Sequence, residues 1–395
     1  MKDIDKKNWL HEGWKRFLFA AAIISLACAY LYGCHQHEQS RREKIKSIYK
    51  DSKSIKRINN YSVYAVREGD TPVSGYISIT EASGWGGPLL VATKTDPEGV
   101  ITSVDILEHR ETPAYLQKLN NDDYFDQFTG KKVNESFVIG DDIDAVSGAT
   151  LSSKGFNRAI REGSRMVATR ALSMEIPERD SKLNPGIKEM LLSALFIVVV
   201  LGSLLKIRKS RYLTMAAGLV LVGFYMNFPL SISNLSSIIL GYIPMPNENL
   251  LWWIMIAGVF IIIGFTGKNL YCYWICPFGA LQEFLGKISG ISLKIPPRLR
   301  RNSSYVAGTL TWLGLMIIFI TRNPSTGNYE PFAAMFGFHG EGVMWYILPL
   351  VLFGSLFIRR FWCRFFCPVG FCLSQGCRLR NHIVRKKAEC IDESE

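Results

Sequence analysis

Cysteine is absent from the whole interval between Cys34 and Cys272, so the long polar segment there has neither disulfides nor thiolate metal ligands. Histidine is absent from every apolar run expected to span a membrane, which removes the ligands for a bis-histidine haem inside a helical bundle. Aspartate and glutamate are missing from the depth of the same runs, which argues against a proton or ion pathway built from carboxylates. No DNA-binding motif is recognisable. The net charge of +12 is carried by Lys and Arg clustered beside the apolar runs, so topology explains it and a nucleic-acid partner is not expected.

The apolar content of 48% and runs of membrane length exclude a single soluble domain and a disordered chain. Residues 1–34 read as a cytoplasmic N-terminus with Lys2, Lys6, Lys7, Lys15 and Arg16, followed by a first transmembrane helix over 17–33. Leu31-Tyr32-Gly33-Cys34 also has the outline of a lipidation site, leaving modification of Cys34 open. Five further apolar segments lie near 189–205, 212–230, 250–267, 304–321 and 343–358. The basic segments 206–211, 287–301 and the tail 361–395 belong inside; the Lys/Arg-poor loops 231–249 and 322–342 belong outside. Both termini are then cytoplasmic, in the cell membrane, and the segment 35–180 is extracytoplasmic. Residues 186–360 form a five-helix membrane domain. Trp252, Trp253, Trp345 and Tyr346, with Tyr271, Trp274 and Trp362, suit the two interfacial belts in contact with lipid.

Within 35–180, a polar helical stalk over 35–55 precedes strands expected at 73–79, 89–93 and 100–107, which alternate partially and are separated by Gly and Asp-Pro turns. Ser152 or Ser153 can cap a helix whose apolar positions Phe156, Ile160 and Val167 share a face, placing Thr150 just ahead of its N-terminus. A helix N-terminus favours phosphate, and Gly148 and Ala149 let the backbone approach it closely.

The run Asp144-Ala145-Val146-Ser147-Gly148-Ala149-Thr150 resembles the D-x-x-S-G-A-T flavinylation motif of FMN-binding domains in sodium-pumping, Rnf-type and NosR-like membrane proteins. The resemblance implies FMN joined through its phosphate to Thr150 by a flavin transferase, with Asp144, Ser147, Gly148 and Ala149 completing the site. Gly84-Trp85-Gly86-Gly87-Pro88-Leu89 and Glu108-His109-Arg110-Glu111-Thr112-Pro113 look like the glycine-rich strand and E-T-P loop of the same domain. They add Trp85, Gly86, Gly87, Glu111 and Thr112 as flavin-flanking residues. His109 lies near this expected flavin; His35, His37, His339 and His382 read as surface or loop residues.

Seven of the nine cysteines lie in two short regions. Cys272-Tyr273-Trp274-Ile275-Cys276-Pro277-Phe278-Gly279, followed by Gln282, parallels Cys363-Arg364-Phe365-Phe366-Cys367-Pro368-Val369-Gly370, followed by Gln375. Helices three and four are expected to be duplicated as five and six. Cysteines at i and i+4 share a helix face and the following proline ends the helix, so two such rims can present Cys272, Cys276, Cys363 and Cys367 together. Four thiolates suit an iron–sulfur cluster, while buried inert cysteine is the bland alternative. Recruitment of Cys372, Cys377 or Cys390 stays open.

The C-x-x-x-C-P motifs, six spans and outer flavin domain together resemble the NosR/NirI family across nearly the whole chain. No ferredoxin-like C-x-x-C-x-x-C run follows, which makes the architecture most similar to the PceC-like subunits associated with reductive dehalogenases. The expected fold is therefore a membrane α-helical bundle of six transmembrane helices plus an extracytoplasmic α+β FMN-binding domain. The resemblance implies electron transfer from the quinol pool, with quinone as donor couple, through FMN to an extracytoplasmic reductase. The rival reading is a NosR/NirI-type redox sensor or maturation protein.

Overall fold

The computed structural model describes residues 2–48, 54–58, 62–67, 73–84, 88–109, 113–146, 149–176, 185–246, 249–291, 293, 295–338 and 343–392. One helix, α1 (Lys2–Ile48), carries both the first apolar run and the polar stalk. Its apolar stretch, Phe17–Ser40, is 24 residues long and reaches further than the expected 17–33, because nothing after Gly33 breaks the helix. It therefore takes in His35 and His37, correcting the expectation of histidine-free spans. Residues two apart on a helix point apart, and the two rings find different partners: His35 meets Gln39 at 2.8 Å and His37 meets Glu81 at 3.8 Å. A Cβ at Gly33 would collide with the carbonyl of Phe319, so α1 rests on the later helix α9 (Pro297–Thr321) almost backbone to backbone. Trp312 Nε1 donates to Ser25 Oγ across the same seam at 3.1 Å.

The polar segment folds as five antiparallel strands in chain order: β1 (Ser54–Arg57), β2 (Val63–Arg67), β3 (Gly75–Ser83), β4 (Pro88–Thr95) and β5 (Ile101–Glu108). The sequence pattern had shown only the last three. Both faces of the sheet are buried. Ala82, Leu89 and Val91 face α2 (Pro113–Asn121) and α3 (Thr150–Arg170), where Phe156, Ile160 and Val167 complete the core; Ile77, Ile79, Leu90 and Ala92 form a second cluster on the other side. This alternation along β3 and β4 is the period-two pattern of a strand. Thr80 Oγ1 donates to the Ala159 carbonyl at 2.7 Å and fixes α3 along β3.

The remaining chain forms α4 (Ile187–Leu204), α5 (Arg208–Gly218) continued by a π-helical turn over Leu219–Tyr225, α6 (Ile232–Leu240), α7 (Leu250–Thr266), α8 (Pro277–Ile288), α9, α10 (Phe332–Phe336), α11 (Met344–Phe357), α12 (Phe361–Phe365) and α13 (Pro368–Asp392). Among the described residues, three helices are long and apolar enough to cross a membrane: Phe17–Ser40, Ile187–Leu204 and Asn302–Thr321. All six expected spans contain helix, but α7 and α11 have 17 and 14 residues. At 1.5 Å per residue they extend only about 25 and 21 Å. The expected 212–230 span is divided between α5 and its π-helical continuation.

The end of the expected 212–230 span and the starts of the expected outer loops 231–249 and 322–342 turn back into the bundle. Leu230, Ile232, Phe332 and Phe336 are buried, and Phe278 of α8 packs on Phe332 and Phe336. The expected basic tail is also different: α13 begins in the core through Val369, Leu373 and Cys377. Arg380 then donates to the carbonyls of Gly264 and Phe265 at 2.9 and 2.7 Å, satisfying the open C-terminal end of α7.

Candidate redox sites

Strand register brings three separate sequence segments to one end of the sheet. Ser83 pairs with Pro88, so residues 84–87 connect β3 to β4 there, and Glu108 pairs with Leu90, so the segment from His109 leaves from the same edge. Along α3, Ala159 lies at Thr80, and a Cβ on Gly163 would press on Ser78. The N-terminus of α3 consequently points toward that same end. Thr150 is the first residue of α3 and Ala149 its N-cap, with no side-chain cap.

Ser152 and Ser153 are thus not the caps expected from the sequence. They lie inside the first turn and are buried. Ser153 Oγ accepts from the Val146 N–H and donates to the Ala149 carbonyl, both at 3.1 Å, while Tyr124 Oη donates to the Ser153 carbonyl at 2.7 Å. Asp144 is exposed, and its backbone is clamped by Gln127: its N–H donates to Gln127 Oε1 at 2.8 Å, and its carbonyl accepts from Nε2 at 3.3 Å. These bonds hold the chain leading into Thr150. His109 adds a buried Nδ1 that has no hydrogen-bond partner. Trp85, Gly86, Gly87, Glu111, Thr112, Ser147 and Gly148 lie outside the described residues, as does the side chain of Thr150.

The cysteine repeats form two elbows, each a helical turn followed by a break and a proline-started helix. Cys272 lies in the π-helical turn Tyr271–Ile275, and Cys276 lies between that turn and α8 with φ −53° and ψ 116°. In the second copy Cys363 lies in α12 and Cys367 precedes Pro368 of α13. The expected shared helix face is therefore corrected. Proline disfavours a helical conformation in the residue before it, so the second cysteine of each pair leaves the helix.

Despite that break, Cys272, Cys276, Cys363 and Cys367 line one pocket, with Arg360 and Phe332 also on its wall. Cys372 and Cys377 are absent from that lining, and the side chain of Cys390 lies outside the described residues. Among the described residues, no three or more His, Cys, Asp or Glu side chains converge to hold a metal ion. The donor set instead has the chemistry of a polynuclear iron–sulfur centre: four thiols from two repeats around a shared space. The Gly370 N–H donates to Cys367 Sγ at 3.2 Å and Gln282 Nε2 to Cys363 Sγ at 3.3 Å, contacts that would tune such a centre if these thiols held one. Burial and the neighbouring thiols raise Cys272 well above the usual thiol range, with Asn269 and Arg360 acting in the opposite direction.

Arg360, Arg211 and Glu283 were not singled out by the sequence pattern. Glu283 Oε2 receives Arg211 Nη2 at 2.7 Å and Arg360 Nε at 2.8 Å. Burial works against the charged carboxylate, yet Arg360 and Arg211 hold it below its ordinary pKa. Arg360 Nη1 continues to the Cys272 carbonyl at 3.0 Å, so the triad braces the first elbow while placing positive charge beside the thiols. Gln282 joins the two copies: its Oε1 accepts from the Trp362 N–H at 2.8 Å, next to Cys363. Counting from the second cysteine, its counterpart is Leu373, not the expected Gln375.

The sheet domain touches the bundle through Glu81. Tyr242, just after α6, donates its hydroxyl to Glu81 Oε1 at 2.8 Å, and His37 approaches the same oxygen. Arg322, at the end of α9, lies over the rings of Tyr30 and Tyr242 and donates to Cys34 Sγ at 2.8 Å.

Two family models match the regions that contain these sites. Residues 84–164 match the FMN-binding domain, and residues 249–296 and 342–386 match the 4Fe-4S binding domain in two stretches, one around each elbow. The chain is 25% identical over 160 residues to a component of the proton-translocating ferredoxin:NAD(+) oxidoreductase complex of Clostridium ljungdahlii, covering 38% of this chain and 86% of that one. It is 26% identical over 201 residues to protein NirI of Paracoccus denitrificans, covering 46% and 29% respectively. With the regulatory protein NosR of Pseudomonas aeruginosa it shares 27% over 197 residues, covering 45% and 27%. It therefore spans less than a third of NirI and NosR. NqrC of Shewanella oneidensis aligns at 23% identity with a TM-score of 0.22, covering 25% of this chain and 52% of that one.

These findings define a membrane protein that unites an FMN-binding domain with 4Fe-4S binding segments. Within that class, the chain is similar to the NosR and NirI proteins.

Proposed function

We propose that this chain is an electron-transfer subunit carrying electrons from the quinol pool to an extracytoplasmic reductase of the reductive-dehalogenase type. FMN is joined by phosphoester to Thr150 after export, by a flavin transferase. The Gly84–Leu89 and Glu108–Pro113 segments flank its ring, with Asp144, Ser147, Gly148 and Ala149 shaping the approach to its phosphate. Cys272, Cys276, Cys363 and Cys367 hold one iron–sulfur cluster. The six apolar segments form the membrane bundle, with both termini cytoplasmic and the sheet domain outside. The observation carrying this reading is the convergence of two cysteine repeats on one pocket in a chain with an FMN-binding domain.

FMN supplies one- or two-electron chemistry, and an iron–sulfur cluster one-electron chemistry. The protein's own contribution is placement and electrostatics. Ser153, Tyr124 and Gln127 fix the entry to α3; Gln282 and Gly370 direct N–H groups at sulfur; Arg360 offsets negative charge at the cysteines. The inward-turning segments put Leu230 and Phe332 against the cysteine pocket, while Glu81 docks the sheet domain on the same loops' side of the bundle.

NosR is named a regulatory protein, which supports a second reading in which the same centres sense redox state. Protein made with a flavin transferase should yield a tryptic peptide carrying an FMN-sized adduct, and Thr150→Val should lose it. Retention of that adduct in Thr150→Val contradicts the assignment. Reduction of the flavin by a quinol analogue supports electron transfer, whereas a reducible flavin that quinol cannot reach favours the sensor.

A further inference from the structure

No carboxylate lies deep in an apolar run of the sequence, but folding buries one beside the cysteine pocket. Glu330 lies between α9 and α10 and is 0% exposed. Its Oε2 accepts from the Ile232 N–H at 2.8 Å, while Oε1 is buried without a hydrogen-bond partner. A buried carboxylate lacking compensation is costly, so this is a place where charge is unstable.

Glu330 ties the two inward-turning segments together. On one side, Leu230, two residues before Ile232, gives its N–H to Tyr271 Oη at 2.8 Å, beside Cys272. On the other side, Tyr329 donates its hydroxyl to the Phe366 carbonyl at 3.0 Å, beside Cys367, and Phe332 lines the cysteine pocket. Both segments meeting at Glu330 therefore also touch the cysteine elbows.

Among the described residues, the charged groups around it are few. Tyr329 from its own loop and Cys367 and Cys372 from the α13 side feel a Glu330 carboxylate, which raises all three. The Ile232 side offers an N–H and no charge, and α10 presents buried Phe332, Ala334 and Phe336. Burial raises Glu330 to about 8. Coupling between two sites is reciprocal: if the carboxylate's charge disfavours negative charge at Cys367, added negative charge at the cysteine centre disfavours the carboxylate.

Resting on the iron–sulfur reading above, we infer that Glu330 is a redox-linked proton acceptor for the cysteine centre. When the oxidised centre gains one electron from its donor, the Glu330 carboxylate takes one proton from water and becomes the acid. Reoxidation returns both. Above about pH 8, where Glu330 is ionised while the centre is oxidised, electron transfer through this chain is then accompanied by proton uptake and release, a function beyond electron carriage.

The test uses the full-length chain, purified anaerobically in detergent, with dithionite as one-electron reductant. Iron and acid-labile sulfide are measured first; their absence sinks the iron–sulfur reading and this inference together. With the centre present, its midpoint potential should be flat well below pH 8 and fall above about pH 8. For one proton per electron, the limiting slope is a tenfold change in the redox equilibrium per pH unit, about 59 mV. Glu330→Gln keeps an acceptor for Ile232 and should retain iron while losing that slope. Reduced-minus-oxidised infrared spectra above pH 8 should show a protonated-carboxyl band appearing in wild type and missing in Glu330→Gln. A pH-independent wild-type potential, or the same slope and band in both proteins, overturns the inference while leaving the cluster intact.

Discussion

Behind Cys276 in the first elbow stands Gly279, and behind Cys367 in the second stands Gly370. Each helix opens with proline, and each preceding helical turn contains the partner cysteine. The bracing around them differs. Cys272 is held through its carbonyl by Arg360, which shares the Glu283 carboxylate with Arg211, while the second elbow is held by Gln282 reaching across from the first. Duplication supplied the cysteine skeleton, and interactions between the copies supplied the brace. Neither copy alone contains the complete arrangement.

Breaking the ionic brace should have the largest effect on this asymmetry. Glu283→Leu leaves two arginines without their shared carboxylate, and removing one partner from a buried pair costs about 3–5 kcal/mol. Thermal unfolding in detergent should shift strongly downward. A wild-type melting curve would show that Arg211 and Arg360 are solvated without Glu283.

Gln282→Leu makes the first copy resemble the second, where Leu373 stands. It leaves the buried Trp362 N–H without its acceptor and removes the donor to Cys363, at a cost of about 1–3 kcal/mol. The same melting measurement should show a smaller loss, and the potential of the centre should fall because a donor to sulfur is gone. An unchanged potential would assign Gln282 to folding alone.

These braces also mark what could be read from the sequence. The C-x-x-x-C-P copies and D-x-x-S-G-A-T run were legible because their chemistry is local in sequence. Glu283 and Arg360 were not, because their partnership joins positions 77 residues apart. Matching identical letters paired Gln282 with Gln375, whereas equal spacing from the second cysteine makes Leu373 the equivalent position. β1 and β2 were missed because they are only 4 and 5 residues long and carry charged residues. The segments containing Ile232 and Glu330 read as outer loops because they are poor in Lys and Arg. Low positive charge is also what a segment returning into an apolar bundle requires.

The smallest contrast concerns the glycines. A Cβ at Gly279 would come within 3.2 Å of the Cys272 carbonyl, whereas one at Gly370 would meet Cys367 Sγ at an ordinary 3.5 Å. Gly279→Ala should therefore lower cluster retention during purification more than Gly370→Ala does, as read by iron per chain. Equal losses would mean that the first elbow yields as readily as the second.

Iron and acid-labile sulfide per chain, measured on anaerobically purified wild type and on Cys272→Ser and Cys363→Ser separately, test the shared centre most directly. A single centre built from both elbows predicts one cluster in wild type and essentially complete loss in either variant, with FMN retained. Two independent centres would leave about half the wild-type iron in each variant, contradicting the joint site.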